Sequence, residues 1–315
     1  MSVKIAVSII NYRTADMTLN CVESVLEDAK GIDLQIVVVD NNSQDGSVEK
    51  IADWLATQPK ECPVTLVRSN ENNGFSSGHN LGMGSVEAQW YLVLNSDAIL
   101  RPGFLETILT TASDHPDAGV IVPKLEGEDG SIQPNCFRFI GPMSELIRSA
   151  NTGFVTRVLQ SYEVSLGSEP DMTQTDWASF ACILLKGEMV KALGPMDEGY
   201  FLYFEDAEYC LRAKQADWRV VRAAQAVAVH YRGGSGPVKS LAAAKKRLPA
   251  YYYESRTRFL YQAHGRIGLI AANLLWYMGR CIAQARRLAG RTPYPMPEAE
   301  SRNIWRNAIT PLRTD

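Results

Sequence analysis

Short apolar runs alternate with helical patterns through residues 3–112, and this alternation restricts the fold more than any other feature of the sequence. The second run, Leu-Gln-Ile-Val-Val-Val, is rich in β-branched residues, which favour strands. The four clearest runs cover residues 3–10, 34–39, 64–67 and 90–94. Between the first two, Leu19, Val22 and Leu26 recur at the i, i+3, i+7 spacing of one helix face. This order predicts an α/β fold with a mostly parallel central sheet flanked by helices.

Asparagine or aspartate follows each of the four runs. These polar ends include Asn11, Asp40, Asn42, Asn70, Asn95 and Asp97. In open parallel sheets, ligands bind beyond the carboxyl ends of the strands, so these side chains predict a polar binding rim. Because Asn and Asp also favour turns, any one of these positions could be a turn residue and nothing more. Four polar ends together favour the binding rim.

The segment after the first run excludes the commonest nucleotide-binding loops. It reads Asn-Tyr-Arg-Thr-Ala-Asp over residues 11–16 and contains no glycine, whereas a dinucleotide fold requires Gly-x-Gly-x-x-Gly there. A P-loop is also absent from the sequence. Phosphates must then be held in another way. A strand-end carboxylate such as Asp97 could do so through Mg²⁺ or Mn²⁺.

Cysteine usage and charge narrow the class of protein further. The six cysteines form no Cys-x-x-Cys pair, which argues against a zinc ribbon or a disulfide framework and fits a reducing cytosol. No secretory apolar segment follows Met1, so a cytoplasmic location is expected. Residues 239–291 contain eleven Lys or Arg and one acid, a charge of +10, which leaves −13 for the remainder of a chain of net charge −3. An anionic membrane surface or a phosphate-bearing ligand suits this segment, and the acidic body disfavours nucleic acid.

The polar strand ends belong to longer motifs whose order and spacing are more specific than any one of them. The motifs are Val37-Val-Val-Asp40-Asn-Asn-Ser43, Asn70-x-x-Asn73-Gly74-Phe75, Leu94-Asn95-Ser96-Asp97, Phe201-Leu-Tyr-Phe-Glu205-Asp206 and Val227-Ala-Val-His230-Tyr-Arg-Gly-Gly-Ser235. Through them, residues 3–260 resemble the family 2 glycosyltransferases of GT-A fold, and the last two motifs resemble the rhamnosyltransferase-like branch. The resemblance implies a GT-A (Rossmann-like) catalytic domain over residues 1–238 and a basic helical extension over residues 239–315. Within the domain, it implies a nucleotide-sugar half over 1–112 and an acceptor half over 113–238.

The resemblance places the nucleotide sugar at the polar rim. Asp40 resembles the family's base-recognising aspartate, whose carboxylate accepts the ring N–H of uracil or thymine. Asp97 aligns with the last acid of the family's Asp-x-Asp motif, and Asn95 stands where the first acid usually lies. His230 resembles a third position near the metal, with a core or loop histidine as the alternative. The expected donor site comprises Asn11, Asp40, Asn42, Gly74, Asn80, Asn95, Asp97 and Trp177, with Mg²⁺ or Mn²⁺ held by Asp97 and His230.

Glu205-Asp206 matches the acidic pair that supplies the general base in these enzymes. Asp206 is expected to take the proton from the acceptor hydroxyl as its oxygen attacks the anomeric carbon, and Glu205 is the second candidate. Asp206 could instead cap the helix that follows it, and both roles can hold together. Trp177 begins a Trp-x-Ser-x-Ala segment that usually faces the donor sugar and the acceptor in relatives. Phe180 replaces the family's glycine in that segment, which places its bulk close to the expected acceptor path.

The basic extension carries two further expectations. Arg256 and Arg258 resemble the family's aromatic-plus-arginine stretch and are expected to meet a phosphate of the acceptor. Residues 267–278 are apolar except for one asparagine and too few to span a bilayer, which needs about 20 residues. A helix in the membrane interface is favoured, with Trp276 and Tyr277 at headgroup depth and the arginines that follow on anionic lipids. Packing in the protein core or in a homodimer is the alternative.

These features predict an inverting glycosyltransferase that uses a divalent metal. The expected donor is a dTDP- or UDP-linked sugar, with rhamnose as the branch-level expectation. The expected acceptor is a lipid-diphosphate or growing glycan in cell-surface polysaccharide synthesis, reached in the cytoplasm at the inner face of the plasma membrane. A nucleotidyltransferase would need a basic, Gly-rich phosphate loop, which residues 11–16 do not provide. A non-catalytic module that binds nucleotide sugars is the second alternative.

Overall fold

A computed structural model describes residues 3–231, 236–292 and 295–313, so residues 232–235 of the late histidine motif lie outside the described residues. The strands are β1 Val3–Asn11, β2 Leu34–Asp40, β3 Val64–Arg68, β4 Ala88–Asn95, β5 Ala98–Leu100, β6 Ala118–Glu126, β7 Ile132–Gln133, β8 Cys136–Phe137, β9 Trp177–Ala178, β10 Cys182–Lys186 and β11 Arg219–His230. The helices are α1 Ala15–Asp28, α2 Ser47–Thr57, α3 Gly74–Gly84, α4 Phe104–Asp114, α5 Pro142–Ala150, α6 Gly153–Val158, α7 Gly187–Leu193, α8 Glu205–Gln215, α9 Val238–Ala243, α10 Ala250–Ala285 and α11 Glu300–Asn303.

The central sheet has nine strands in the order β3-β2-β1-β4-β10-β6-β11-β5, with β7 paired to β6. The strands β1 to β4 are parallel, as the alternation of strands and helices predicts. The sheet becomes mixed at β10, which runs antiparallel between β4 and β6. Since β6 is antiparallel to β10, it runs in the direction of β4, and β11 lies parallel to it. The predicted α/β architecture is confirmed, with one strand reversed at its centre.

Helices cover both faces of the sheet because successive strand residues point to opposite sides. On one face, Ile5, Val7 and Ile9 of β1 pack with residues of α1, α2 and α4. On the other face, strand residues such as Val93 and Ile183 pack with α3, α7 and α8. With both faces covered, β2 is an almost continuous apolar run, as expected of a buried parallel strand.

The register aligns the polar strand ends at one edge of the sheet. Asn11 pairs with Asp40 and Ile10 pairs with Asn95, so β1, β2 and β4 finish together. Antiparallel β10 starts where β4 finishes, with Cys182 opposite Leu94, which brings the Trp-x-Ser-x-Ala segment to the same edge. The predicted rim therefore forms at the carboxyl ends of the strands.

The basic extension packs on the catalytic body through α10, which contacts α5 and α8. The helix is interrupted at Gly265, whose φ of 66° and ψ of −174° are open to glycine and strained for other residues. Trp276 is 4% exposed and packs near Tyr253 and Ile304, so the prediction that it lies at headgroup depth is wrong. Within the described ranges, no helix is both long and apolar enough to cross a bilayer. The division into domains at residue 238 stays a prediction.

Candidate active site

Two adjoining cavities open at the carboxyl edge of the sheet. The first, here called the acidic cavity, has a volume of about 370 Å³ and is lined by Asn95, Asp97, Phe180, Glu205, Asp206 and His230, among others. The second, the aromatic cavity, has a volume of about 310 Å³ and is lined by residues that include Tyr12, Asn41, Asn72, Phe75, Phe201 and Tyr251. Phe75, Asn95, Leu202 and Gly236 line both, so the cavities form one cleft.

Asp97 and His230 meet because two distant strands pair next to them. Asp97 directly precedes β5, and β5 pairs antiparallel with β11, with Ala98 opposite His230. This pairing places His230 Nε2 3.3 Å from Asp97 Oδ1. Both residues are buried, at 7% and 3% exposure. The structure therefore brings together the two residues predicted to hold a metal.

Gln133 orients the His230 ring from behind. Its Nε2 donates to the backbone oxygen of His230 at 2.8 Å, and its Oε1 lies 3.3 Å from His230 Nδ1. In the tautomer with the proton on Nδ1, that nitrogen donates to Gln133 and Nε2 keeps a free lone pair on the side of Asp97. Metal-binding histidines are held by this kind of outer contact.

The donor set at this point fits a divalent metal shared with a substrate. Asp97 supplies a carboxylate and His230 an imidazole nitrogen, and the side-chain amide of Asn95 lies next to them, with its Nδ2 3.5 Å from His230 Nε2. No group of three or more His, Cys, Asp or Glu side chains suited to a metal occurs in the part of the chain that the structure describes. A metal here would therefore need further oxygens from a ligand, as Mg²⁺ and Mn²⁺ take from phosphates.

Glu205 and Asp206 begin α8 and line the acidic cavity. Burial raises the pKa of Asp206 to about 7, although backbone N–H groups of Ala207 and Phe180 hold it down. Burial also raises the pKa of Glu205 well above its usual range, and the neighbouring Asp206 adds to this. A carboxyl group with a pKa near 7 suits a general base at neutral pH.

Asp206 fulfils only part of its alternative role as a cap of α8. The N-cap of α8 is Phe204, which has no side chain able to cap, and Asp206 accepts from the backbone N–H of Ala207 at 2.8 Å. Tyr203 and Phe204 precede the pair with φ of 73° and 71°, a conformation that costs energy in residues other than glycine. The backbone thus holds the acidic pair at the cavity at some expense of stability.

Gly74 shapes the aromatic cavity because the chain passes very close to Phe201 there. The φ of Gly74 is +89°, and a Cβ at this position would lie 1.9 Å from the backbone oxygen of Phe201. That oxygen accepts from Phe75 N at 2.8 Å, and Asn41 Nδ2 donates to the oxygen of Gly74 at 2.9 Å. Gly74 lines the cavity, in agreement with its predicted place at the donor site.

Asp40 and Asn11 lie beneath the cleft and line neither cavity. Asp40 is 2% exposed, and its Oδ1 accepts from Asn11 Nδ2 and from Ser43 Oγ, each at 2.6 Å. Asn42, with φ of 58°, hydrogen-bonds Gln44 and also lies outside both cavities. Of the three acids expected to converge, Asp97 and Asp206 share a cavity, whereas the Asp40 carboxylate is engaged in the loop that follows β2.

Two residues predicted at the donor site have structural partners instead. The Asn80 side chain bonds the backbone of Met196, donating to its oxygen at 2.9 Å and accepting from its N–H at 2.8 Å. Trp177 stacks on Phe137 and donates from Nε1 to the oxygen of Arg138 at 3.0 Å. Neither lines the cleft, so the structure corrects both assignments.

Phe180 lies where the sequence places it, in the wall of the acidic cavity. It is 1% exposed and meets the ring of Tyr209 edge-on. The residue also belongs to the core cluster on the α8 face of the sheet. Its effect on the acceptor path stays a prediction.

The prediction that Arg256 and Arg258 meet a substrate phosphate is wrong. Arg256 is 2% exposed and bonds Asn273 at 2.9 Å, with Glu145 3.0 Å away. Arg258 makes two hydrogen bonds of 2.8 Å to Asp197. Both guanidinium groups are used to fix α10 to the rest of the protein.

Sequence reasoning missed most residues of the aromatic cavity. Asn41 and Tyr12 each follow a residue that was singled out, Asp40 and Asn11. Asn72 lies inside a quoted motif, and Tyr251 begins the Tyr-Tyr-Tyr stretch of α10. Position next to a strand end was the available signal, but side-chain direction decides which neighbour faces the cleft.

Comparisons with known proteins agree with this geometry. The family model Glycosyl transferase family 2 matches residues 6–154. The N-acetylglucosaminyl-diphospho-decaprenol L-rhamnosyltransferase of Mycobacterium tuberculosis is 26% identical over 282 residues, covering 82% of this chain and 84% of that protein. The Low-salt glycan biosynthesis hexosyltransferase Agl10 of Haloferax volcanii is 22% identical over 230 residues, covering 72% and 66%.

A solved structure shows the same fold at low sequence identity. The mannosyltransferase PcManGT from Pyrobaculum calidifontis, in complex with GDP-Man and Mn²⁺, superposes with a TM-score of 0.59 at 15% identity, over 93% of this chain and 77% of that one. The cleft at the strand ends, the motif order and these relatives lead to one assignment. Residues 6–154 match the family 2 glycosyltransferases, and the chain is a glycosyltransferase with the GT-A fold that is similar to the rhamnosyltransferase-like branch.

Proposed function

We propose that the protein transfers a sugar, with inversion, from a nucleoside-diphosphate sugar to a hydroxyl of a glycan acceptor. The observation that carries the proposal is the acidic cavity, which is lined by Asp97 and His230 together with Glu205 and Asp206. One pair is suited to a diphosphate and its metal, the other to an acceptor hydroxyl. A single displacement needs these two functions on opposite sides of the anomeric carbon.

Asp206 acts as the general base in this scheme. Its ionised carboxylate takes the proton of the acceptor hydroxyl while that oxygen forms the new bond to the anomeric carbon and the bond to the diphosphate breaks. Because burial raises the pKa of Asp206 to about 7, the ionised fraction grows through neutral pH and the rate should rise with it. Glu205, whose pKa burial also raises well above its usual range, is the second candidate.

Asp97 and His230, with Asn95 beside them, would hold Mg²⁺ or Mn²⁺ against the diphosphate of the donor. When bound, the metal neutralises the charge that grows on the leaving diphosphate. Two structural neighbours, PcManGT with GDP-Man and GalNAc-T7 with UDP and GalNAc, also contain Mn²⁺, which supports a divalent metal here. The aromatic cavity would take the nucleoside, with Tyr12 and Phe75 available for stacking.

The donor is a dTDP- or UDP-linked sugar in this proposal, with rhamnose preferred, and the acceptor is a lipid-diphosphate or growing glycan of cell-surface polysaccharide. The mycobacterial relative supports both choices, because its name gives an L-rhamnosyl donor group and a diphospho-decaprenol acceptor. The match to a glycosyltransferase family model and these relatives favour a glycosyltransferase over the two alternatives, a nucleotidyltransferase and a non-catalytic module.

The test combines nucleotide binding with transfer. The purified chain is titrated with dTDP and with UDP by calorimetry, with and without Mn²⁺, and Asp206→Asn is measured beside it. If Asp206 is the general base, Asp206→Asn should keep the metal-dependent nucleotide binding of the unaltered chain. Its rate of sugar transfer should fall at least a hundredfold. Failure to bind either nucleotide, or a product of retained anomeric configuration, would refute the proposal.

A further inference from the structure

The C-terminal half of α10 exposes apolar side chains along one face. Ile267, Ile270, Leu274 and Met278, here called the apolar stripe, are 86%, 41%, 57% and 45% exposed. Their spacing of three, four and four residues keeps them on the same side of a helix. They cover about 17 Å of its length at 1.5 Å per residue. Surfaces of this kind mark contact with a partner or with a membrane.

The opposite face of the same half-helix is firmly packed, which fixes the direction of the apolar stripe. Leu269 and Ala272 are fully buried in a cluster with Leu260. Asn273 is fully buried, and its Nδ2 donates to the backbone oxygen of Ile304 at 3.0 Å. Core packing, one of the alternatives for this segment, thus accounts for one face, and the residues that the structure describes leave the apolar stripe exposed.

Further exposed apolar residues extend the surface at both ends of the helix. Leu288 is 95% exposed in the turn after α10. Ile309 is 85% exposed, and Arg266 Nη1 lies 3.3 Å from its backbone oxygen, which places Ile309 at the Ile267 end. The apolar surface therefore runs past both ends of the stripe.

Arginines border this surface and no acid lies within the stripe. They are Arg266, Arg280, Arg286, Arg287 and Arg291. Arg287 and Arg291 are exposed, next to Leu288. An anionic surface attracts each basic residue near it by about fivefold in affinity at physiological salt. An apolar stripe with a basic border is the pattern of helices that lie in the interface of anionic membranes.

The same charges disfavour a second copy of the chain as the occupant. A two-fold contact along the stripe would bring the arginine borders of both copies together, and like charges repel across an interface. One helix face is also narrow for a stable dimer, which buries about 800 Å² on each partner. The charge pattern thus selects an anionic lipid surface over self-association.

We infer that the apolar stripe and its arginine border dock the protein on the surface of an anionic bilayer. The inference deepens the proposed function, because it explains how a lipid-linked acceptor reaches the cleft. Tyr251 of the aromatic cavity lies on the same helix, sixteen residues before Ile267. The interruption at Gly265 lies between the two residues, so the stripe belongs to the helical segment that follows the one carrying Tyr251.

Vesicle sedimentation tests the inference directly. The full chain is mixed with vesicles of phosphatidylglycerol and phosphatidylcholine, and with vesicles of phosphatidylcholine alone. Binding to the anionic vesicles that weakens with salt is expected, with at least tenfold weaker partitioning for Ile267→Ser/Leu274→Ser. Arg287→Gln/Arg291→Gln should lower binding to anionic vesicles about tenfold or more. Since all four side chains are exposed, circular dichroism should show both variants folded.

Matched controls remove the same kinds of side chain elsewhere. Met17→Ser/Leu81→Ser takes two apolar side chains of 43% and 39% exposure from α1 and α3, and Lys30→Gln/Lys60→Gln takes two exposed charges. Both should bind vesicles as the unaltered chain does. Equal binding by the stripe variant, or no binding of the unaltered chain to anionic vesicles, overturns the inference. A dimer that Ile267→Ser/Leu274→Ser dissolves, without vesicle binding, assigns the stripe to self-association instead.

The outcome for docking is separable from the outcome for sugar transfer. Nucleotide titration of the stripe variant should match that of the unaltered chain, because the stripe does not line the cleft. Transfer to a short, water-soluble acceptor should also be unchanged, whereas transfer to an acceptor embedded in anionic vesicles should fall about tenfold. Vesicle binding without nucleotide binding would refute the proposed function and leave docking intact.

Discussion

Asp206→Asn should stabilise the protein while it abolishes most of its activity. The ordinary pKa of an aspartate is 3.8, and burial raises the pKa of Asp206 to about 7 in the folded protein. Between these values the folded state keeps a proton that the unfolded state releases. The free energy of unfolding therefore falls as the pH rises from about 4 to about 7, and is flat above that. Asparagine has no such proton to lose.

The size of the effect follows from the shift of the pKa. Each pKa unit corresponds to about 1.4 kcal/mol, so a rise of about three units is worth at most about 4 kcal/mol above pH 7. Solvent reaches Asp206 through the cavity, so we expect roughly half of that. Asp206→Asn should thus raise the free energy of unfolding by about 2 kcal/mol at alkaline pH. Near pH 4 the difference should approach zero.

Urea unfolding in EDTA, followed by circular dichroism across this pH range, measures the difference without bound metal. Asp197→Asn is the matched control, and it should change the free energy of unfolding in the opposite direction. Burial alone would raise the pKa of Asp197, but hydrogen bonds from Arg258 and Gln262 hold it below its usual value. Losing that carboxylate should destabilise the fold by about 1–3 kcal/mol at neutral pH. An Asp206→Asn protein no more stable than the unaltered chain at alkaline pH would refute the reasoning.

Three further changes test the walls of the cleft and the base of α10. Gly74→Ala should weaken dTDP binding at least tenfold, because the added Cβ would meet the backbone of Phe201. Gly84→Ala, in the same helix, places its Cβ in open space and should bind dTDP normally in the same titration. Gln133→Leu should weaken Mn²⁺ binding about 10–100-fold in calorimetry with dTDP present, since the His230 ring loses its contact with Gln133. Unchanged affinity for Mn²⁺ would exclude a role of Gln133 in orienting His230. Glu145→Gln should cost about 3–5 kcal/mol in urea unfolding, because the buried Arg256 loses its carboxylate partner, as does Arg148, and a cost below 1 kcal/mol would contradict it.

The local parts of the fold could be predicted from the sequence, and the long-range pairings could not. The apolar run at 34–39 predicts β2 on its own, because a strand buried on both faces must be apolar throughout. Nothing in residues 182–186 shows that β10 runs antiparallel between β4 and β6, since pairing depends on distant partners. The contact of Asp97 with His230 likewise depends on the pairing of β5 with β11. The family resemblance predicts that Asp97 and His230 lie close together, whereas their spacing in the sequence does not.

Charged and aromatic residues were the least predictable part of the site. Arg258 was assigned to a substrate phosphate because of its charge, but Asp197, sixty-one residues away in sequence, takes its guanidinium group. Trp177 was assigned to sugar stacking, but Phe137 occupies its face through the pairing of β8 with β9. The residue type limits what a side chain can bind, but the fold determines which partner lies next to it.

The wall common to the two cavities ties the filling of one to the shape of the other. A nucleoside seated among the aromatic residues would press on Phe75 and Leu202, and these same side chains bound the space in front of Asp206. The space for the acceptor would then take its final shape only after the donor has bound. The shared wall thus predicts that the donor binds before the acceptor.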